Sequence, residues 1–394
     1  MSNDAQRYAS RGVSANKSDV HDAIRNLDKG LFPKAFCKIL PDYIAGSKSY
    51  CNIMHADTAG TKTSLAYMYW RETGDLSVWK GIVQDAMVMN LDDMACVGCV
   101  DKFIVSSTVG RNKNYISGDV VKTIIHAAVE FCDTMRTYNI DIKLAGGETA
   151  DVGDIVRTID VGFTAFARLK RKKLIINNIK SGNVIVGFSS AGKSVYETET
   201  NSGIGCNGLT SARHDVLDKS YGGRYPESYD TKIPEEVVYA GSKYLTDNFT
   251  VLGETKPLGK WILSPTRTYL PLLQKILSEV DKKNISGIIH NTGGGQTKVL
   301  KYTEGVKIIK NNLLPIPPIF SLIQSQSQTD WREMFQVFNM GTRLEIYCNE
   351  KIAENLVDVA RLLNIEAKLI GHVEKTNIER NILLIENPAG TFTY

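Results

Sequence analysis

Carboxylates set beside small-residue turns are the residues of this chain whose types and spacing could do chemistry. Asp57 opens the turn Asp57-Thr58-Ala59-Gly60-Thr61-Lys62, Asp85, Asp92 and Asp93 fall on or at the close of one helix, and Gly146-Gly147-Glu148-Thr149-Ala150-Asp151 places two more acids beside paired glycines. Hard oxygen ligands of this kind suit Mg²⁺, which takes few protein carboxylates and completes its shell with phosphate and water. Backbone N–H groups laid bare by glycine can meet the phosphate oxygens. An acid at a helix end is more often a solvated surface charge, so the three features carry weight only together. Neither glycine segment has the spacing of a Walker A loop or of the dinucleotide fingerprint, which excludes those two nucleotide-binding folds.

These groups need elements to hold them. Cys51 to His55 reads as a strand leading into the Asp57 turn. Val78, Ile82, Val83, Ala86, Met87 and Asn90 recur at helical spacing, so Asp85 and Asp92, seven apart, share one face of that helix. A second amphipathic helix runs through Val121, Ile124, Ile125, Ala128, Phe131 and Met135, with Ser117 or Asp119 available as its cap. Ile159 to Ala167 alternates apolar and polar residues, the period of a half-buried antiparallel strand. The basic cluster Lys170 to Lys173 ends it and marks a domain boundary, giving domains at 1–173 and 174–394.

In the second domain, strand patterns at Asn183 to Phe188, Trp261 to Leu263, Gly287 to His290, Arg343 to Cys348 and Ala367 to Val373 alternate with helical patterns near 267–280 and 351–363. Residues 193–262 show little periodicity and read as a long excursion from the core. Leu31, Ala35, Phe36 and Ile39 suggest a short helix ended before Pro41. The order of elements is that of an α+β protein.

Composition narrows the class further. The chain has 47 basic and 43 acidic residues spread along 394, for a net charge of +4. That is far from the clustered basic surface a nucleic-acid binder needs, and a small anionic substrate fits better. No apolar run is long enough to span a membrane, and the first ten residues lack the apolar stretch of a secretory signal. The expected setting is cytoplasmic, and the seven cysteines, an odd number scattered through the chain, fit reduced thiols there. Cys96 and Cys99 form a CxxC without a second pair or histidines to complete a zinc site, so both are expected to pack at the end of a helix.

The ordered motifs resemble those of the aminoimidazole-ribonucleotide (AIR) synthetases over nearly the whole chain. His55 to Lys62 follows the family's G-T-D-G-x-G-T-K turn. Asp85 with Asp92-Asp93 is similar to its helix carrying one Asp and then Asn-Asp. Gly146 to Asp151 matches G-G-E-T-A-E, and Ile289-His290-Asn291-Thr292-Gly293-Gly294-Gly295 matches A-H-x-T-G-G-G. Pro317-Pro318-Ile319-Phe320, then Glu333-Met334 and Phe338-Asn339-Met340-Gly341, match the late P-P-x-F and E-M…F-N-x-G signals.

The resemblance implies two α+β domains: an N-terminal sheet that pairs with its mate in a homodimer to close a β-barrel, and a ferredoxin-like C-terminal domain carrying the 193–262 insertion. It implies ATP and Mg²⁺ as cofactors and a ribonucleotide as the small-molecule substrate, with no nucleic acid or membrane as partner. The implied reaction activates the formamide oxygen of formylglycinamidine ribonucleotide by phosphoryl transfer, after which the amidine nitrogen closes the imidazole ring of de novo purine biosynthesis.

Carried onto this chain, Asp57, Asp93, Glu148 and Asp151 become metal ligands. Thr61, Lys62, Gly146, Gly147, Thr149 and Asp92 become nucleotide contacts, and His290, Asn207 and Lys62 become catalytic. Departures from the pattern are Ser14 in place of an acid, Asp92-Asp93 for Asn-Asp, and Gly205-Cys206-Asn207-Gly208 for H-S-N-G, which removes a histidine. They keep two other readings open: an ATP-dependent ligase or kinase of the same superfamily acting on a different small amide, and a nucleotide-binding regulator without catalysis.

Overall fold

The computed structural model of the chain describes residues 10–12, 22–23, 26–376 and 380–394. Ser14 lies outside these residues. The first domain is built from β1 (Ile39–Pro41), β2 (Tyr50–Thr58), α1 (Lys62–Thr73), α2 (Val78–Ala95), β3 (Lys102–Arg111), α3 (Gly118–Arg136), β4 (Asp141–Asp151) and β5 (Ile159–Lys170). Its sheet has the order β1-β2-β5-β3-β4. β3 and β4 are parallel and joined through α3, and the other neighbours are antiparallel.

The alternation of β5 works as its sequence implies. Val161, Phe163, Ala165 and Ala167 are buried on the side where α2 packs on the sheet. Asp160, Thr164 and Phe166 lie on the opposite, more open face. That face also carries Met54 and Ile104, both in register with Phe166 and 61% and 48% exposed.

α2 is buried along almost its entire length, with Asp85, Asn90, Asp92 and Asp93 among its buried residues. One side meets the first sheet and the other the second domain. That domain opens with β6 (Val184–Ser189), β7 (Ala191–Gly192) and β8 (Asn201–Ser202), then α4 (Leu209–Val216), α5 (Ser220–Arg224), β9 (Asn248–Val251), β10 (Glu254–Pro257), α6 (Leu258–Ile262) and α7 (Leu270–Glu279). It continues with β11 (Ile285–His290), β12 (Val306–Lys310), α8 (Pro318–Ser327), α9 (Trp331–Val337), β13 (Thr342–Cys348), α10 (Ala353–Leu362), β14 (Ala367–Lys375), β15 (Ile382–Asn387) and β16 (Gly390–Thr393). The main sheet runs β11-β13-β6-β14-β12-β15-β16, with its first four strands antiparallel.

Three expectations from sequence are corrected here. Residues 31–37 form turns rather than a helix, because Ala35, Phe36 and Cys37 are buried as a consecutive run and Ile39–Pro41 is drawn into pairing with β2. Trp261 to Leu263 is no strand: Trp261 lies in the helical turn α6, its indole donating to the Phe249 carbonyl at 2.8 Å. The 193–262 stretch packs into the core. Leu209, Val216, Tyr221 and Tyr239 are buried, and the stretch is fastened to α1 by Tyr67 to Glu227 at 2.5 Å and Arg224 to Glu72 at 2.6 Å. Arg11 reaches the same stretch through a buried 2.8 Å pair with Asp215.

Candidate active site

Two of the helical acids act as an interdomain latch. Asp85 accepts from the Thr266 backbone N–H at 2.6 Å and its hydroxyl at 2.7 Å. Asp92, two turns on, accepts from the Thr268 hydroxyl and the Tyr269 N–H, both at 2.7 Å. The seven-residue spacing thus fits the run of residues that enters α7. Burial pushes the Asp92 carboxyl up to about 7 despite these bonds. Arg267 lies between the two anchored threonines. It donates to Glu197 and to the carbonyls of Ser189, Ala191 and Gly192, tying the end of β6 to the same segment.

Lys62 is also part of this joint. Its ammonium is fully buried, 2.9 Å from Asp85 and 2.6 Å from the Ser264 carbonyl. This corrects the expectation of a phosphate-facing lysine: Lys62 starts α1 and turns inward to the acid of α2. Thr61 stays at the surface of the joint, bridged to Thr210 at 2.7 Å.

Asp93, next to the latch, points elsewhere. One carboxylate oxygen lies 2.7 Å from His290 Nδ1 and the other 3.7 Å from His55 Nε2. Burial works against its charge, but Lys298, His290 and His55 outweigh it and hold the carboxyl near 2. His290 Nε2 lies 3.0 Å from Arg343 Nε. A guanidinium only donates, so Nε2 must accept and the proton must sit on Nδ1, facing Asp93. Burial pushes this imidazole down to about 4, which keeps it neutral. Both ring nitrogens are engaged within the protein.

The chain Asp93–His290–Arg343 crosses from α2 to β11 and β13. Around it stand Asn207, whose Oδ1 is shielded and without a hydrogen-bond partner among the described residues, and the glycine turn 293–295. Gly294 and Gly295 have φ of +94° and +49°, and a Cβ on Gly295 would lie 2.5 Å from the Phe335 carbonyl. Lys298 follows one turn later, its ammonium bonded to the Thr292 hydroxyl and 4.5 Å from the Phe36 ring centre. Arg343 and Lys298 escaped the sequence reading. A lysine three residues past a glycine run is a legible signal for the second, whereas nothing local marks the first.

The acids expected as metal ligands are not gathered in one place. Glu148, Thr149 and Asp151 lie on β4, at the edge of the sheet and mostly exposed, with Asp151 paired to Arg111 at 2.7 Å. Asp57 is on β2. The row Asp57, Phe163, Ser107, Gly147 crosses four strands, so Asp57 and the Glu148 region stand about three strand spacings, roughly 14 Å, apart. No one cation bridges that. Among the described residues there is no group of three or more His, Cys, Asp or Glu side chains placed to hold an ion.

The two β4 glycines have a local cause. The β3–β4 register shifts between Val105 and Ser107. Gly146 takes φ +89° at that bulge, and a Cβ on Gly147 would lie 2.0 Å from the Ser107 hydroxyl. The CxxC thiols are free and buried at the close of α2.

Two main sheets with helices packed on them, joined along a buried helix, define an α+β fold. The same fold, with a TM-score of 0.56, is found in T. maritima PurL complexed with FGAR, 12% identical; all of this chain matches 52% of that one, so it spans about half that protein's length. It is found again in AaThiL complexed with AMPPCP and TMP, with a TM-score of 0.56 at 11% identity over 96% of both chains. Residues 33–169 match the AIR synthase related protein, N-terminal domain. Over most of its length the chain is similar to phosphoribosylformylglycinamidine cyclo-ligases. It is 27% identical over 331 residues to that of Methanococcus vannielii, covering 84% of this chain and 79% of the relative. It is likewise 27% identical over 328 residues to that of Bacillus pumilus, covering 81% and 79%.

Proposed function

We propose that this protein is an ATP-dependent cyclo-ligase that closes formylglycinamidine ribonucleotide to aminoimidazole ribonucleotide in purine biosynthesis. The observation that carries the reading is the similarity to cyclo-ligases over 84% of the chain, and the site it is read onto is the seam where Asp93, His290 and Arg343 meet. The formamide oxygen takes the γ-phosphoryl group of ATP, releasing ADP. The amidine nitrogen then attacks the imidate carbon, the C–O bond breaks, and inorganic phosphate and a proton leave. Phosphoryl transfer asks the protein chiefly for positioning and charge neutralisation.

The residues divide accordingly. Mg²⁺ takes one or two carboxylates and completes its shell with nucleotide phosphate and water. The half-exposed carboxylate of Asp57 suits it, and the dispersed acids fit an ion that arrives on the nucleotide. When bound, it neutralises phosphate charge. Glu148 and Thr149 offer polar groups farther along the same sheet. Lys298 and the glycine turn 293–295 suit the ribonucleotide phosphate, with Asn207 beside them for the amide. His290 positions Arg343 rather than exchanging protons.

The ferredoxin-like reading of the second domain is supported by the chain order β6-α7-β11-β13-α10-β14 and the antiparallel sheet order β11-β13-β6-β14. A homodimer is supported by the open face around Met54, Ile104 and Phe166, which needs covering. Among the described residues no helix is long and apolar enough to cross a membrane. The test is to incubate the pure protein with ATP, Mg²⁺ and formylglycinamidine ribonucleotide. AIR and ADP should appear together. ADP release only with another small amide would contradict the substrate, and neither binding nor turnover of ATP would point to a regulator.

A further inference from the structure

Buried guanidiniums in this protein are of two kinds. Arg267 is satisfied by a carboxylate and three carbonyls, as a structural cation must be. Arg343 is as deeply buried, 1% exposed, yet no carboxylate among the described residues lies within ion-pair reach of it. Its Nε donates to the neutral His290 ring and its Nη2 only to the Met89 sulfur at 3.4 Å, a weak acceptor. Its Nη1 stands beside Gly205: a Cβ on that residue would lie 2.1 Å from it. The guanidinium therefore fills the space that any side chain at 205 would take. Two residues along the same segment, the shielded Oδ1 of Asn207 also has no partner among the described residues.

A buried cation with no carboxylate in direct contact is costly to keep, and an anionic ligand is what would complete it. We propose that Arg343 is the phosphoryl-binding cation of this site. Its Nη1 donates to a phosphoryl oxygen of the bound reactants, while Asp93, through the fixed tautomer of His290, holds its plane in place. The inference rests on the ATP-dependent reading above. The phosphoryl oxygen has two sources, the group in transfer and the ribonucleotide's own phosphate, and kinetics separates them.

The experiment compares wild type with Arg343→Gln, Arg343→Lys and Gly205→Ala, measuring kcat and KM for ATP and for formylglycinamidine ribonucleotide, with thermal melts to confirm folding. If Arg343 meets the transferring group, Arg343→Gln lowers kcat about 10³-fold or more with both KM values unchanged, and Arg343→Lys recovers part of it. If it meets the ribonucleotide phosphate, KM for the ribonucleotide rises about 10- to 100-fold instead, and the difference vanishes with the dephosphorylated riboside. A folded Arg343→Gln protein with wild-type kcat and KM overturns the proposal. Should that variant fail to fold, Gly205→Ala decides, because its methyl group displaces Nη1 without removing charge; unchanged kinetics there overturns the proposal equally. A wild-type protein that makes no AIR overturns the functional reading and this inference with it, whereas an active wild type with an indifferent Arg343 overturns the inference alone.

Discussion

At the scale of single residues, charges that look catalytic in sequence divide into those that hold the domains and those that face the seam. Lys62 holds: its pairing with Asp85 is fully buried. Lys62→Met should strand the Asp85 carboxylate and cost about 3–5 kcal/mol, read as a lower midpoint in urea unfolding. Intact stability with lost ATP binding would return Lys62 to the phosphate. His290 gives a second expectation. Its pKa falls on folding to about 4, so between about 6.5 and 4 the unfolded chain binds the extra proton. Stability should therefore drop as pH falls through that window, and Asp93, held near 2, should extend the loss at still lower pH. His290→Gln removes the first part. If the acid slope is identical in that variant, His290 is not buried neutral.

At the scale of elements, the latch between α2 and the run entering α7 carries the opposite sign. Asp92 is raised on folding to about 7, so the folded state holds the proton that the unfolded chain releases near 3.9. Its contribution weakens as pH rises from about 4 to 7. Asp92→Asn should be destabilised at acid pH relative to wild type and recover toward neutrality; a difference independent of pH would argue against a protonated latch.

The spacing of Asp85 and Asp92 was legible in the sequence because helical periodicity fixes which residues share a face. The alternation of β5 was legible for the same kind of reason. β4 was not: its glycines read as a turn, but a bulge against β3 lets the strand run through them, and no local pattern encodes a partner strand. Ala35-Phe36-Cys37 misled in the other direction, since apolar residues buried by turns mimic a helical stripe. Arg343 was hidden because its significance lies in the empty Cβ position of Gly205, far away in sequence.

At the scale of the whole molecule, the open face of the first sheet is the unfinished surface. The apolar side of β5 is spent inside the chain, so it is the other side, around Met54, Ile104 and Phe166, that a second copy would cover. A two-fold pairing there would bury these side chains and shield the exposed edge strand β4. Ile104→Lys should shift the mass in light scattering from dimer to monomer while leaving the fold intact. A wild-type monomer at micromolar concentration would contradict the pairing.

The proposed reaction has the two halves of the chain meet to phosphorylate an amide oxygen. Formylglycinamidine ribonucleotide carrying ¹⁸O in its formyl group tests this most directly. After one turnover with ATP, the label should be found in inorganic phosphate, because the bond from oxygen to the former γ-phosphorus outlives the bond from oxygen to carbon. Label released as water, with unlabelled phosphate, would contradict the claim.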